Sequence, residues 1–248
     1  MRKIKQLIIY GDSIGKGVIW NEERQRYCIS KAACVKSLSA ALPFPVENRC
    51  VMGNTVRKCL EAFKADKPER GAAVVFEVGS NDCDMPWDMI SADPEHEHPA
   101  NVPLHEFYRD LRDLIRLAKR RRMLPIVTIP IPLDGDKYFP WVSRGLDREN
   151  ILRYLGDPVQ MSRWQERYAA AVRDVARQER VRIIDLRDYM LKNRQFKALY
   201  CADGIHLNDR EQQYLFDCLK ADSLIASFEA LRPRRNAPAP ARAACAAC

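Results

Sequence analysis

Short apolar runs alternate with longer amphipathic segments along this chain, and that alternation limits its fold more than any other feature. The apolar runs, which are typical of buried strands, cover residues 4–10, 46–50, 72–78, 124–130 and 181–186. The segments between them carry helical apolar stripes over residues 28–42, 54–65, 105–122, 158–180 and 208–230. Strands that alternate with helices favour a parallel sheet covered by helices on both faces. The pattern therefore predicts an α/β fold.

The chain of 248 residues is long enough for one large domain or two small ones. No internal repeat or interdomain linker interrupts the pattern, so one domain is predicted over residues 1–231. Residues 232–248 are rich in Pro, Ala and Arg, and we expect them to form a disordered tail.

No segment has the properties of a membrane span or an export signal. The longest apolar runs reach only a few residues, whereas a transmembrane helix needs about 20. The apolar stretch after the basic start is too short for a signal peptide. The nine cysteines are odd in number and scattered, which favours free thiols and a cytoplasmic location. Cys245 and Cys248 form a Cys-x-x-Cys pair without a second pair, so no metal site is expected.

The net charge of +8 does not by itself indicate a nucleic-acid partner. Half of it comes from arginines near the end of the chain, Arg232, Arg234, Arg235 and Arg242. The other basic cluster, residues 119–122, ends an amphipathic helix, where positive charge suits the helix dipole. We therefore expect neither a nucleic acid nor a membrane as a partner.

Ser13 directly follows the first predicted strand, in the segment Gly11-Asp12-Ser13-Ile14-Gly15. A serine at such a turn is exposed at the edge of the sheet and can act as a nucleophile, or it can cap the following helix. The same loop has a Gly-Lys pair, as phosphate-binding loops do. Its spacing is one residue short, and Gly17 stands where such a loop has Ser or Thr, so phosphate binding is not favoured.

A serine nucleophile needs a base and a third group that orients the base. His105 opens a helix. His96 and His98 lie in an acidic loop, and although a His-x-His pair can bind metal, no further ligand is evident, so we expect both in solvent. His206 follows Asp203 after Gly204 and Ile205, just before the last predicted helix. A turn with this spacing can place the carboxylate on one imidazole nitrogen and leave the other for Ser13. A loop histidine with an incidental acidic neighbour is the alternative.

Acyl transfer also needs hydrogen-bond donors aimed at the developing oxyanion. Gly53 lies after the second predicted strand, and its backbone N–H can approach a ligand closely because glycine lacks a Cβ. Asn81, in Gly79-Ser80-Asn81-Asp82 after the third strand, can donate from its side-chain amide. Either segment can instead be a plain turn.

Taken together and in order, these blocks resemble the SGNH, or GDSL-type, hydrolase family. The blocks are Gly11-Asp12-Ser13, Gly53, Gly79-Ser80-Asn81-Asp82 and Asp203-Gly204-Ile205-His206. Ile14 stands where the motif has Leu, and Cys50 where Gly is frequent, but neither is a catalytic position. The resemblance implies a flavodoxin-like, three-layer α/β/α sandwich with a parallel five-stranded sheet, and no cofactor.

The resemblance also implies a mechanism. Ser13 would attack an ester carbonyl, His206 would accept its proton, and Asp203 would hold the imidazole. The oxyanion would be bound by the N–H groups of Ser13 and Gly53 and by the amide of Asn81. Ester hydrolysis is the expected reaction. An acyltransferase would use the same residues, and a binding module could keep the fold without turnover.

Two long connections, residues 83–104 and 132–157, follow predicted strands at the edge where open α/β sheets bind ligands. Their aromatic side chains can stack on a sugar ring or can merely pin the loops to the body of the protein. We expect a small ester substrate with a short acyl group, such as an O-acetylated carbohydrate. The residues expected to contact it are Asp12, Asn54, Asp82, Trp87 and Trp141.

Overall fold

The computed structural model describes residues 4–66 and 71–229, so the predicted tail, residues 232–248, lies outside the described part of the chain. The strands are β1 (Leu7–Tyr10), β2 (Val18–Asn21), β3 (Arg26–Ile29), β4 (Val46–Asn48), β5 (Ala73–Phe76), β6 (Leu124–Thr128) and β7 (Arg182–Ile184). The α-helices are α1 (Ser13–Lys16), α2 (Cys34–Ala41), α3 (Val56–Ala65), α4 (Trp87–Ala92), α5 (Leu104–Arg120), α6 (Gly135–Val142), α7 (Arg148–Leu155), α8 (Val159–Gln178), α9 (Leu186–Lys192), α10 (Asp209–Ala221) and α11 (Ser223–Glu229). A 3₁₀-helix covers Phe196–Leu199.

The central sheet has five parallel strands in the order β4–β1–β5–β6–β7. This is the flavodoxin-like order, with the topological switch point between β1 and β5. Every predicted strand is present, although each is shorter than its apolar run. The predicted α/β fold is confirmed.

Alternate residues of each strand pack on opposite faces of the sheet, as the period of two requires. Ile8 and Tyr10 of β1 pack in the core formed with α3, α5 and α8. Leu7 and Ile9 pack in the core formed with α2, α10 and α11. The result is the three-layer sandwich, in which the inner strands β1 and β5 are apolar and buried on both faces.

A hairpin of β2 and β3 was not predicted from the sequence. The helix predicted over 28–42 begins only at Cys34, because Arg26–Ile29 pairs antiparallel with Val18–Asn21. Trp20 lies opposite Tyr27, with ring centroids 5.0 Å apart, and such cross-strand aromatic pairs stabilise hairpins.

Two further differences concern helices. The helix predicted over 208–230 is interrupted at Asp222, whose extended backbone separates α10 from α11. The two long connections are not irregular loops, since they contain α4, α6 and α7. The three helices pack together through an apolar cluster, which includes Trp87 of α4, Tyr138 of α6 and Ile151 of α7. That cluster lies outside the three layers, above the edge of the sheet at which the strands end.

Candidate active site

Ser13 lies at the sharp turn between β1 and α1. Asp12 caps this turn, since its Oδ1 accepts a 2.8 Å hydrogen bond from the N–H of Ile14. Short polar side chains favour such positions because they satisfy N–H groups that a helix start leaves free. Ser13 is 5% exposed and lines a cavity, so its hydroxyl lies at the carboxyl edge of the sheet.

Asp203 and His206 lie in a tight turn before α10. Asp203 Oδ1 accepts hydrogen bonds of 3.0 Å from the N–H groups of both Ile205 and His206. Gly204 has φ +71°, and a Cβ there would lie 2.5 Å from the carbonyl oxygen of Asp134. The turn therefore requires glycine at this position, for both its conformation and the close approach of the neighbouring backbone.

The two turns bring Ser13, His206 and Asp203 into one hydrogen-bonded chain. His206 Nε2 lies 2.8 Å from Ser13 Oγ, and His206 Nδ1 lies 2.6 Å from Asp203 Oδ2. Burial alone would raise the pKa of Asp203, but the hydrogen bond and charge of His206 hold it below its ordinary value. The ionised carboxylate can only accept, so Nδ1 donates to it and Nε2 is left to accept from the Ser13 hydroxyl.

Tyr27, in the hairpin of β2 and β3, lies next to His206 and Asp203, and the sequence did not predict this position. Its ring centroid lies 5.0 Å from that of His206, and its hydroxyl lies beside the Asp203 carboxylate. Burial and the adjacent charge of Asp203 raise the pKa of the Tyr27 phenol, so the hydroxyl remains protonated and can donate. No motif marks Tyr27, because its position depends on the unpredicted hairpin.

The loop that carries Gly53 is tied to the Ser13 turn. Gly11 O accepts hydrogen bonds from Val51 N at 3.0 Å and from Asn54 Nδ2 at 3.1 Å. Gly53 itself has φ +71°. Within the described residues, neither the N–H of Gly53 nor that of Ser13 donates to another protein group. Both donors are therefore available to a ligand.

Asn81 lies at the end of the β5 segment and lines the same cavity as Ser13. Its Nδ2 donates a 2.9 Å hydrogen bond to Asp12 Oδ2, and its backbone oxygen accepts one from Asn101 Nδ2 at 2.9 Å. A side-chain amide has two N–H bonds, so one remains for a ligand.

Three residues expected to contact substrate are buried behind the site rather than in the cavity wall. Asp12 and Asp82 are fully buried, and Asn54 is nearly so. Asp82 accepts from Val56 N at 2.8 Å and from Gly79 N at 2.9 Å, and burial raises its pKa to about 7. The side chains of these three residues hold the loops together.

Glu77 is a second buried acid that sequence reasoning missed. Its Oε2 accepts from Asp12 N at 2.9 Å and from Gly15 N at 3.2 Å. Burial, and then the charge of Asp12, raise the pKa of Glu77 well above its ordinary value. Glu77 is a single acidic residue in an otherwise apolar predicted strand, and nothing in the sequence indicates that it contacts the turn at Ser13.

The cavity that contains Ser13, Asn81 and His206 has a volume of about 680 Å³. Much of its wall comes from α8 and from the two long connections, which the sequence analysis placed at this edge of the sheet. The wall is largely apolar and aromatic. The large apolar and aromatic side chains in it include Trp87, Tyr138, Tyr154, Leu155, Met161 and Trp164. Trp141 is not in the wall, since its ring packs on Trp20 and Tyr27 outside the cavity.

His96 is exposed, as expected, but the expectation for His98 is wrong. His98 is 9% exposed and lies in the cavity wall. Its Nε2 is 2.6 Å from the carbonyl oxygen of Asp93, and its backbone N–H donates to Tyr154 Oη.

Among the residues that the structure describes, no three His, Cys, Asp or Glu side chains are grouped so that they could hold a metal ion. Nor does any helix in the described ranges have the length and apolar character to cross a membrane.

A family model for GDSL-like lipases and acylhydrolases matches residues 9–213, which include all four blocks of the site. The chain belongs to the GDSL-like lipase/acylhydrolase family. A relative of this GDSL-family protein is the isoamyl acetate-hydrolyzing esterase 1 homolog of Mus musculus. The two are 26% identical over an alignment of 172 residues, and the match covers 66% of this chain but only 61% of the mouse protein.

Solved structures of the family share the fold. The lipase/acylhydrolase from Enterococcus faecalis superposes with a TM-score of 0.61 at 16% identity, covering 92% of this chain and 96% of that one. A catalytic mutant of an acetylxylan esterase from Geobacillus stearothermophilus gives a TM-score of 0.59 at 20% identity, with coverages of 89% and 95%. At these identities the likeness concerns the architecture alone.

Proposed function

We propose that this GDSL-family protein is a serine esterase that cleaves carboxylic esters of short acyl groups. The observation that carries the proposal is the unbroken chain from Ser13 Oγ to His206 Nε2 at 2.8 Å and from His206 Nδ1 to Asp203 Oδ2 at 2.6 Å. A hydroxyl, a base and an orienting carboxylate in this order are the components of serine acyl transfer.

In the first half of the reaction, Ser13 Oγ attacks the ester carbonyl carbon while its proton passes to His206 Nε2. The tetrahedral intermediate then expels the alcohol, which takes that proton from His206, and the acyl group remains on Ser13. In the second half, a water molecule attacks the acyl carbon while its proton passes to His206 Nε2. The new tetrahedral intermediate expels Ser13 Oγ, which takes that proton back from His206, and the carboxylic acid leaves. Asp203 holds the imidazole and stabilises its charged form in both halves.

Three donors are assigned to the oxyanion: the N–H of Ser13, the N–H of Gly53 and the free amide N–H of Asn81. Support comes from their lack of protein partners and from the hydrogen bonds that tie the Gly53 loop and Asn81 to the Ser13 turn. Prearranged donors of this kind stabilise the intermediate more than the substrate, and that difference accelerates the reaction.

The preference for short acyl groups is supported by the names of two similar proteins. The mouse relative is named for hydrolysis of isoamyl acetate, and a structural neighbour is an acetylxylan esterase. Trp87, in the cavity wall, is the residue we assign to packing against the substrate. O-acetylated carbohydrates fit a cavity with such aromatic walls, because sugar rings stack on aromatic faces.

The test is labelling with a fluorophosphonate combined with a panel of esters. Wild type should be labelled and should hydrolyse acetyl esters faster than long-chain esters, whereas Ser13→Ala and His206→Ala should lose both labelling and turnover. A folded wild type that is neither labelled nor active would indicate a binding module. Retained hydrolysis in Ser13→Ala would refute the assigned nucleophile. Transfer of acetyl to an added alcohol in preference to water would instead indicate an acyltransferase.

A further inference from the structure

Asp84 is an acidic residue in the wall of the cavity that contains Ser13. All its protein hydrogen bonds go to one oxygen: Oδ1 accepts from Tyr138 Oη at 2.5 Å, from Trp87 Nε1 at 2.9 Å and from Met85 N at 2.9 Å. Within the described residues, no donor reaches Oδ2. That oxygen is not sealed off from solvent, so it is the atom of Asp84 that a ligand can reach.

Three other polar groups of the aromatic wall are paired with protein atoms, whereas the hydroxyl of Ser80 in the same cavity has no protein partner. Trp164 Nε1 donates to Cys83 O at 2.9 Å, Gln165 Nε2 donates to Ile131 O at 3.0 Å, and Tyr154 Oη donates to His98 O at 3.2 Å. Asp84 Oδ2 is thus a strong acceptor in this wall that has no protein donor and is open to a donor on a ligand.

The carboxylate is also held in a fixed place. Its own backbone oxygen accepts from Asn101 N at 2.9 Å, and two residues earlier Asp82 O accepts from Val102 N at 3.0 Å. With three donors on Oδ1, the side chain has little freedom to turn. A fixed acceptor loses little conformational entropy when a ligand binds, and such preorganisation is characteristic of specificity-determining groups.

We propose that Asp84 Oδ2 accepts a hydrogen bond from a free hydroxyl of the ester, so that the substrates are hydroxylated esters. This inference rests on the proposed esterase function. The hydroxyl can belong to the alcohol portion, as in a partly acylated polyol or sugar, or to the acyl portion, as in a hydroxyacyl ester. The adjacent rings of Trp87 and Tyr138 suit a carbon skeleton that carries such hydroxyls.

A hydroxyl suits this carboxyl better than an ammonium group does. Burial raises the pKa of Asp84 despite its three donors, so its surroundings disfavour charge. A neutral hydroxyl donates to Oδ2 without bringing a second charge into these surroundings, whereas an ammonium group would have to give up its hydration there.

The experiment compares matched esters on wild type and Asp84→Asn. In the variant, the three protein donors hold the amide oxygen at the Oδ1 position, so an NH₂ group replaces Oδ2 and the acceptor becomes a donor. On the alcohol side the pair is 2-hydroxyethyl acetate and 2-methoxyethyl acetate. On the acyl side it is ethyl 3-hydroxybutanoate and ethyl 3-methoxybutanoate. A methoxy group can only accept.

Wild type should prefer the hydroxyl over the methoxy ester by about 10- to 100-fold in kcat/KM in one of the two pairs, as expected for a hydrogen bond to a charged acceptor. Asp84→Asn should lose or reverse that preference. The pair that responds identifies which portion of the ester carries the hydroxyl. Glu97→Gln is the matched control, because it removes an exposed carboxylate from the same cavity wall and should leave the ratio unchanged.

Equal rates for both members of both pairs in wild type, or an unchanged preference in Asp84→Asn, would overturn the inference. So would a preference for acetylcholine over the hydroxylated esters. Fluorophosphonate labelling of Ser13 in Asp84→Asn checks that the variant keeps its site, and the wild-type ratios decide the matter if it does not fold. If wild type hydrolyses no ester, the esterase proposal fails, and calorimetric binding of the same pairs to Ser13→Ala still tests Asp84.

Discussion

Asn81 Nδ2 donates a 2.9 Å hydrogen bond to Asp12 Oδ2, so the residue before the proposed nucleophile holds the amide proposed for the oxyanion. The other oxygen of Asp12 caps the turn at Ile14 N. Asp12 is fully buried and outside the cavity wall. One carboxylate thus links the ends of β1 and β5, and it fixes the position of Ser13 relative to Asn81.

Asp12→Asn should lower kcat by about 100-fold and change KM little. The cap at Ile14 can keep the amide oxygen, which turns the new NH₂ group toward Asn81 and forces that amide to rotate. The loss should approach that of Asn81→Ala, since removing one oxyanion donor costs about 100- to 1000-fold. Steady-state kinetics of the double variant provide the check. If the two losses multiply, Asp12 does not act through Asn81.

Glu77→Gln should leave activity and stability close to those of wild type. Burial and the charge of Asp12 raise the pKa of Glu77 and so favour its neutral form, and glutamine has the same shape with an oxygen that can accept from Asp12 N and Gly15 N. Glu77→Leu would leave both N–H groups unpaired, at a cost of about 1–3 kcal/mol each. Urea unfolding measures the difference. A glutamine variant as unstable as the leucine variant would show that the ionised form is required.

The arrangement of Ser13 and His206 could be predicted because it follows from topology and local chemistry. The loops after parallel strands meet at one edge of the sheet, and the Asp-Gly-Ile-His spacing fits one tight turn. The sheet itself follows from apolar runs separated by amphipathic helices. These features depend on residue type and spacing along the chain, so a single sequence contains them.

Other parts of the site depend on contacts between distant segments. The hairpin that carries Tyr27 has short strands with weak alternation, and part of it falls in a predicted helix. Asp12, Asn54 and Asp82 are polar residues beside the predicted blocks, but hydrogen bonds to neighbouring loops turn them inward. Asp84 has no motif of its own. Periodicity cannot reveal which polar side chains a loop buries.

Tyr27→Phe should move the acidic limb of the kcat/KM profile to higher pH by about one unit. The phenol lies beside Asp203 and can donate to it, and without it the carboxylate becomes a stronger acceptor that holds the proton of the imidazole more tightly. About 1.4 kcal/mol of lost stabilisation corresponds to one pH unit. Tyr189→Phe is the control, since the Tyr189 hydroxyl donates to a different carboxylate, that of Asp222, and not to Asp203. An unmoved limb in Tyr27→Phe would exclude an effect through Asp203.

Asp82→Asn should flatten the dependence of stability on pH between about pH 4 and pH 7. Burial raises the pKa of Asp82 to about 7 in the native state, against an ordinary value near 4 in the unfolded chain. Between these values the native protein keeps a proton that the unfolded chain has lost, so the free energy of unfolding falls as the pH rises, by a few kcal/mol in all. Asp203 contributes the opposite dependence on pH. Its lowered pKa stabilises the native protein at neutral pH, and that contribution is lost as the pH falls below about 4. The variant is less stable at pH 5, because its amide cannot accept from both Val56 N and Gly79 N. Urea unfolding of both proteins at several pH values measures the two slopes, and parallel curves would mean that Asp82 is already ionised in the native protein throughout this range.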